Sequence, residues 1–118
     1  MLSKDDDEHA IPVALRGRFV SLVASFAAGD FTASHEGVVP VSVEVASLIA
    51  RNLRAYGDVL VPLNAETWGS SVYCWMDGYW QVMVDLSTEG EPISDLALHA
   101  VVGDEPGLPI TVEGIWVP

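Results

Sequence analysis

Hydrophobic positions recur at three- and four-residue steps in the first half of the chain and on alternate positions in the second. Between Pro12 and Ala28, Leu15, Phe19, Leu22, Val23 and Phe26 share one face of a helix. Pro12 suits its first turn, and Gly29 suits the left-handed position after its last. A second stripe of Val41, Val45, Leu48, Ile49, Leu53 and Tyr56 predicts a helix over roughly Ser42–Tyr56, introduced by Pro40 and ended by Gly57. Arg16 and Arg18 fall off the first stripe and are expected in water. Arg51 and Arg54 sit in the last turns of the second helix, where they complement its dipole. The connector Phe31–Val39 carries His35 and Glu36, both read as solvated.

After Gly57 the pattern is that of strands. Asp77-Gly78 between two apolar runs predicts a type I′ hairpin spanning Trp68–Leu86, because that turn needs positive φ at both central residues. A two-residue loop sets the register: Trp75 faces Trp80, Cys74 faces Gln81, and Tyr73 faces Val82. One face, with Tyr73, Trp75, Trp80, Val82, Val84 and Leu86, is a core face. The other carries Val72, Cys74, Met76, Tyr79, Gln81 and Met83 and ends at Asp85. It is also mostly apolar, so helices, a second subunit, a partner or a ligand are expected to cover it. Asp58–Leu63 predicts a short strand with Pro62 at an edge or end. Ile93–Val102 predicts another, with Leu96, Leu98, Ala100 and Val102 opposite Asp95, Ala97, His99 and Val101. Pro109–Val117 is the last, with a bulge at Gly114.

The elements add up to an α+β fold in which two N-terminal helices pack on one face of a roughly five-stranded antiparallel sheet. Residues 1–10, with the run Asp5-Asp6-Asp7-Glu8, read as a disordered acidic tail, and 11–118 as a single domain. The order of elements is also that of cone-like folds of the NTF2/cystatin type, a likeness of layout alone.

Charge narrows the partners. The net charge is −12, and all five Lys and Arg residues lie within the first 54 positions. From Ala55 to Pro118 there are ten acidic residues and no Lys or Arg. Such a field repels nucleic acid and anionic membranes and favours a basic protein partner. The start of the chain is acidic where a secretory signal is basic, and no apolar run is long enough to span a bilayer, which together predict a cytoplasmic protein. The single cysteine, Cys74, excludes an intramolecular disulfide and reads as a buried, inert thiol.

The chemistry-bearing motifs are few. Asp85-Leu-Ser-Thr-Glu-Gly-Glu follows the first half of a calcium-loop spacing, but Leu96 stands where a bidentate Glu is needed. No metal and no cofactor is therefore expected. Asp85, Asp95 and His99 are the weak catalytic candidates, a carboxylate–histidine set suited to general acid–base work, with Glu66 or Asp58 as further carboxylates. No nucleophile elbow, phosphate loop or zinc helix accompanies them, so no catalytic residue is assigned. Trp68, Met76, Asp77, Tyr79, Glu89 and Glu91 are the candidate partner-binding residues, because aromatics anchor interfaces and acids steer encounter with a cationic partner.

Three blocks resemble a bacterial family of domains of unknown function: VVPVSVEVA (38–46), ETWGSSVYCWMDGYWQVMVDLSTEGE (66–91) and SDLALHAVV (94–102). The shared features are a Pro-Val-Ser opening, Glu-Thr-Trp, Trp-x-x-Gly-x-Trp, Val-Asp-Leu-x-Thr-Glu and Ser-Asp-Leu, over residues 38–118. In size and acidity the chain is similar to immunity proteins that neutralise toxins. The expected function is thus non-enzymatic binding of a basic protein. The alternative is a small-ligand-binding or enzyme domain with a pocket between sheet and helices. A homodimer that covers the second hairpin face is a third arrangement.

Overall fold

The computed structural model describes residues 2–118. In chain order the elements are β1 (His9–Ala10), α1 (Val13–Ala27), α2 (Val43–Tyr56), β2 (Leu60–Val61), a 3-10 turn (Ala65–Gly69), β3 (Val72–Trp75), β4 (Tyr79–Asp85), β5 (Ser87–Thr88), β6 (Ala97–Gly103) and β7 (Ile110–Trp116). The main sheet is five-stranded and antiparallel in the order β1-β3-β4-β6-β7, and β2 pairs separately with β5. The α+β architecture and its two helices are as the pattern predicts.

The helices form where the stripes place them. In α1 all five predicted positions are buried. In α2 the Ser42 hydroxyl accepts from the Val45 N–H at 3.2 Å, and Gly57 closes the helix at φ 84°. Only Ile49 of the α2 stripe is fully buried, and Leu48 is 45% exposed, so this helix lies more shallowly than its pattern implies. Both helices cover one face of the sheet. Trp80, Val82, Val84, Leu98, Ala100, Val102, Ile110 and Ile115 supply the sheet side of that core.

The hairpin turn has positive φ at Asp77 and Gly78, and the Met76 N–H donates to the Tyr79 carbonyl at 2.8 Å. Its register is the predicted one, with Trp75 opposite Trp80 and Val72 opposite Met83. Its start is later than predicted: Trp68 belongs to the 3-10 turn, where the Asn64 side chain accepts from the Glu66 N–H and caps the turn. The Asp58–Leu63 strand shrinks to two residues outside the main sheet.

The fifth strand of the main sheet comes instead from the acidic N-terminal run. His9 and Ala10 pair with Tyr73 and Val72. Leu2 is buried, the Trp80 indole N–H donates to the Ser3 carbonyl at 2.8 Å, and the Ser3 N–H donates to the Tyr73 hydroxyl at 2.8 Å. Lys4 reaches Asp104 at 2.8 Å and sits 5.0 Å from the Trp75 ring. The charges of Asp5–Glu8 stay exposed, while the residues around them supply apolar and hydrogen-bonding contacts; charge density alone suggested a tail with nothing to bury.

Arg16 and Arg18 also depart from expectation. The Arg16 Nε donates to the Ile11 carbonyl at 2.9 Å, and its guanidinium lies 5.3 Å from the Trp68 ring. Arg18 donates to the carbonyls of Gly107 and Leu108. Both tie α1 to loops, so they are half-buried rather than free in water.

Little of either edge of the main sheet is left as a long free strand. On one side the sheet ends in the two-residue β1, which pairs with β3. On the far side, Ile110 of β7 exchanges backbone hydrogen bonds with Gly37 and Val39, and the Asn52 side chain donates to the Ile115 carbonyl at 2.8 Å. An open edge strand would present unpaired backbone groups to other chains.

Candidate functional site

The alternation that buries one face of β4 and β6 sends the intervening residues to the opposite, outer face. There Tyr79, Gln81, Met83 and Asp85 lie across from Gly103, Val101, His99 and Ala97. Val72 and Cys74 flank them on β3, and Thr111, Gly114 and Trp116 on β7. None of these residues belongs to the core packed by the helices. Met76, Tyr79 and Trp116 are 48%, 39% and 41% exposed, whereas Trp80, the next residue after Tyr79, is 0% exposed. No helix covers this face among the described residues. Cys74 is half-buried rather than buried, with its Sγ 3.9 Å from the Asp6 carbonyl oxygen.

Two features organise the outer face, and both follow from the bulge between β6 and β7. His99 pairs with Gly114 and Ala100 with Val112, which leaves Glu113 as the extra residue. First, Trp116 lies flat on His99, with ring centroids 3.8 Å apart and an interplanar angle of 3°. The indole passes so close over Gly114 that a Cβ there would come within 2.8 Å of the ring, so only glycine leaves room. Second, Glu113 meets the Gln81 side chain, whose Nε2 donates to Glu113 Oε1 at 2.7 Å and to the Ala100 carbonyl at 3.3 Å. A carboxylate from β7 is thereby held toward the middle strand β4.

The electrostatics of His99 reflect this setting. Burial of the ring pushes its pKa below the ordinary histidine value, opposed by the hydrogen bond to the Trp116 carbonyl and by the charge of Glu113. The carboxylate that acts on His99 is therefore Glu113, not Asp85 or Asp95.

The structure gives the three catalytic candidates separate partners and no hydrogen bond to one another. Asp85 accepts from the Ser70 hydroxyl, and its N–H donates to Ser71 Oγ at 2.9 Å. Asp95 is exposed in the loop before β6, and its N–H donates to the Tyr56 hydroxyl at 3.3 Å. His99 is engaged with Trp116. Asp58 caps the Gly90 N–H at 3.3 Å. Its carboxyl is lowered first by the buried Thr88 hydroxyl beside it, which has no well-aligned hydrogen bond of its own, and then by the Val59 amide. The residues of the tested calcium spacing serve as cross-links: Ser87 Oγ donates to the Pro92 carbonyl and Ser94 Oγ to that of Leu86. Among the described residues, no three His, Cys, Asp or Glu side chains gather as a metal-holding group.

The six interaction candidates fall in three places. Met76, Asp77 and Tyr79 form the exposed hairpin tip at one end of β4. Glu89 and Glu91 are exposed beyond its other end, where Glu91 Oε1 accepts from the Tyr56 hydroxyl at 3.4 Å. Trp68 is half-buried against the core and under Arg16. The Gln81–Glu113 pair at the centre of the outer face went unnoticed in the sequence, although the predicted bulge at Gly114 marks the spot. A shallow depression of about 300 Å3 at the end of β7 is lined by Asn52, Ala55, Tyr56, Leu96, Trp116 and Val117. It encloses neither Asp85 nor His99.

No helix among the described residues is long and apolar enough to cross a membrane. No curated protein and no solved structure matches the chain. Residues 23–118 match the family described as Domain of unknown function (DUF7668), which extends the expected span of resemblance back into α1. That match takes in β3, β4, β6 and β7 entire, and the protein belongs to this family.

Proposed function

We propose that the domain is a non-enzymatic protein-interaction module that receives a basic partner on the outer face of its sheet. One observation carries this reading: the outer face is largely apolar, has no helix over it among the described residues, carries no Lys or Arg, and holds the Glu113 carboxylate against Gln81 at its middle. None of β3, β4, β6 and β7 contains a Lys or Arg, while Asp77, Asp85 and Glu113 project from or beside them. Apolar side chains next to fixed carboxylates are a layout in which buried anchors hold a complex and charges speed its formation. An immunity-like role, in which the partner is a basic toxin, is the specific form that the acidity suggests.

The small-ligand alternative finds its support in the depression beside Trp116. Its lining includes no carboxylate or imidazole, and Tyr56 is its one titratable side chain.

The test is affinity capture from the source cells, with the unaltered chain and with Val101→Lys run in parallel. The expected result is a basic protein retained by the unaltered chain, released as salt rises, and lost with Val101→Lys. Captured proteins that bind both chains equally, or that show no basic bias, would exclude the outer face as the interaction surface.

A further inference from the structure

We infer that the occupant of the outer face is a cationic amphipathic helix, seated across β3, β4, β6 and β7 with one of its Lys or Arg side chains on Glu113. This inference rests on the proposed interaction face and adds the form of the partner and the central contact.

Three observations select that form. The sheet offers only short edges: one side ends in the two-residue β1, and β7 on the other is already bonded at Ile110 by Gly37 and Val39 and at Ile115 by Asn52, so a partner strand finds little edge to extend. A partner must therefore lie on the face. Four strands about 4.8 Å apart make a floor roughly 14–19 Å across. About three turns of helix, some 16 Å long, cover it. Helices already cover the inner face, and a helix on the outer one completes a three-layer arrangement that buries both faces of the sheet.

The charge pattern sets the sign and the centre. Glu113 is an exposed carboxylate that Gln81 holds in place at 2.7 Å, beside Val101 and His99. Positioning in advance removes part of the ordering cost when a cation arrives. Val101 and Met83 lie near it in the register, with Tyr79 and Trp116 toward the two ends of the same face, and together they offer apolar surface to the stem of a Lys or Arg and to its neighbours one helical turn away. A second copy of this chain is the poorer occupant. Its own net charge is −12, and the two outer faces would set acid against acid.

The probe is an 18-residue synthetic peptide with Leu at helical spacing on one face and Lys on the other. A control peptide of the same composition has its order scrambled. Binding is followed by calorimetry and by amide chemical-shift mapping on the full chain. Binding of the helical peptide is expected, with shifts centred on Gln81, Val101 and Glu113 and only weak binding of the scrambled one. Glu113→Gln is expected to weaken affinity about tenfold, as for loss of one charge-assisted contact. Glu44→Gln, which removes the same charge from the exposed first turn of α2, is expected to change it less than about twofold.

Equal binding of both peptides, shifts confined to α2, or equal effects of the two substitutions would overturn the inference. So would a chain that sediments as a dimer and becomes monomeric with Val101→Lys, since a second copy would then be the occupant. Failure of the peptide test leaves the capture experiment with Val101→Lys standing, so loss of the helical partner and loss of the interaction face are told apart.

Discussion

The two faces of one sheet differ far more in what covers them than in what they are made of. On β6, Leu98, Ala100 and Val102 point inward and are fully buried; of the alternating outer residues Ala97 is also enclosed, His99 is buried beside Trp116, and Val101 is half-buried. On β4, Trp80 and Tyr79 are neighbours, yet one is wholly enclosed and the other 39% exposed. The inner face is saturated: helices, the N-terminal segment and the β7 edge all close on it. The outer face has a stacked Trp116–His99 pair and a tethered carboxylate, but among the described residues no helix lies over it. That difference is what the proposed partner site rests on.

The strongest way to break that comparison is to truncate the two adjacent aromatics. Trp80→Ala removes a fully buried side chain and its hydrogen bond to Ser3, with an expected loss of about 3–5 kcal/mol. Tyr79→Ala is expected to cost under about 1 kcal/mol. Urea unfolding of both variants checks this, and similar losses would mean that the outer face contributes to the core after all.

Gly114→Ala sharpens the outer face itself. The new Cβ would press on the Trp116 ring, so the indole must lift from His99, at an expected cost of about 1–3 kcal/mol. Tryptophan emission should shift to the red as that ring is exposed. An unchanged spectrum with unchanged stability would show that the stack is not held from below by glycine.

Asn52→Ala separates edge from face. It removes the bond to the Ile115 carbonyl, with an expected loss of about 0.5–1.5 kcal/mol. Light scattering should rise with concentration as the end of β7 opens. Scattering that stays flat would mean that the Gly37–Val39 segment protects the edge alone.

The smallest expected effect is a pH dependence at His99. Its folded pKa lies below the ordinary value of about 6.5 because burial disfavours the charged ring. Below about pH 6.5 the unfolded chain therefore binds more protons at this site than the folded one. Stability falls as pH drops from there through the lower folded value, and is restored as pH rises. His99→Gln should flatten that part of the profile in urea midpoints taken between pH 5 and 8. An identical slope in the variant would assign the dependence to other groups.

The helices, the hairpin register and the bulge were legible in the sequence because each depends on residues close in the chain. Leu15 to Phe26 repeat with the helical period, Asp77-Gly78 permits one turn geometry, and Gly114 interrupts an otherwise regular strand. The fifth strand was not legible. His9-Ala10 has no strand signature of its own, and it pairs only because Leu2 and Ser3 find the Tyr73–Trp80 side of the core. Arg16 and Arg18 looked solvated for the same reason: their partners, Trp68, Gly107 and Leu108, lie far along the chain.

The candidate site divides in the same way. Local alternation identified which residues share the outer face and showed that it is apolar. It did not show whether that face is covered, because a two-sided apolar strand reads alike in a buried layer and an open one. Nor did it bring Glu113 to Gln81 or lay Trp116 on His99, contacts that depend on the pairing of β4, β6 and β7. Period, turn and charge follow from neighbours in sequence and were determined there. Which layer closes on which face follows from the free energy of packing between segments distant in the chain, and only the tertiary structure decided it.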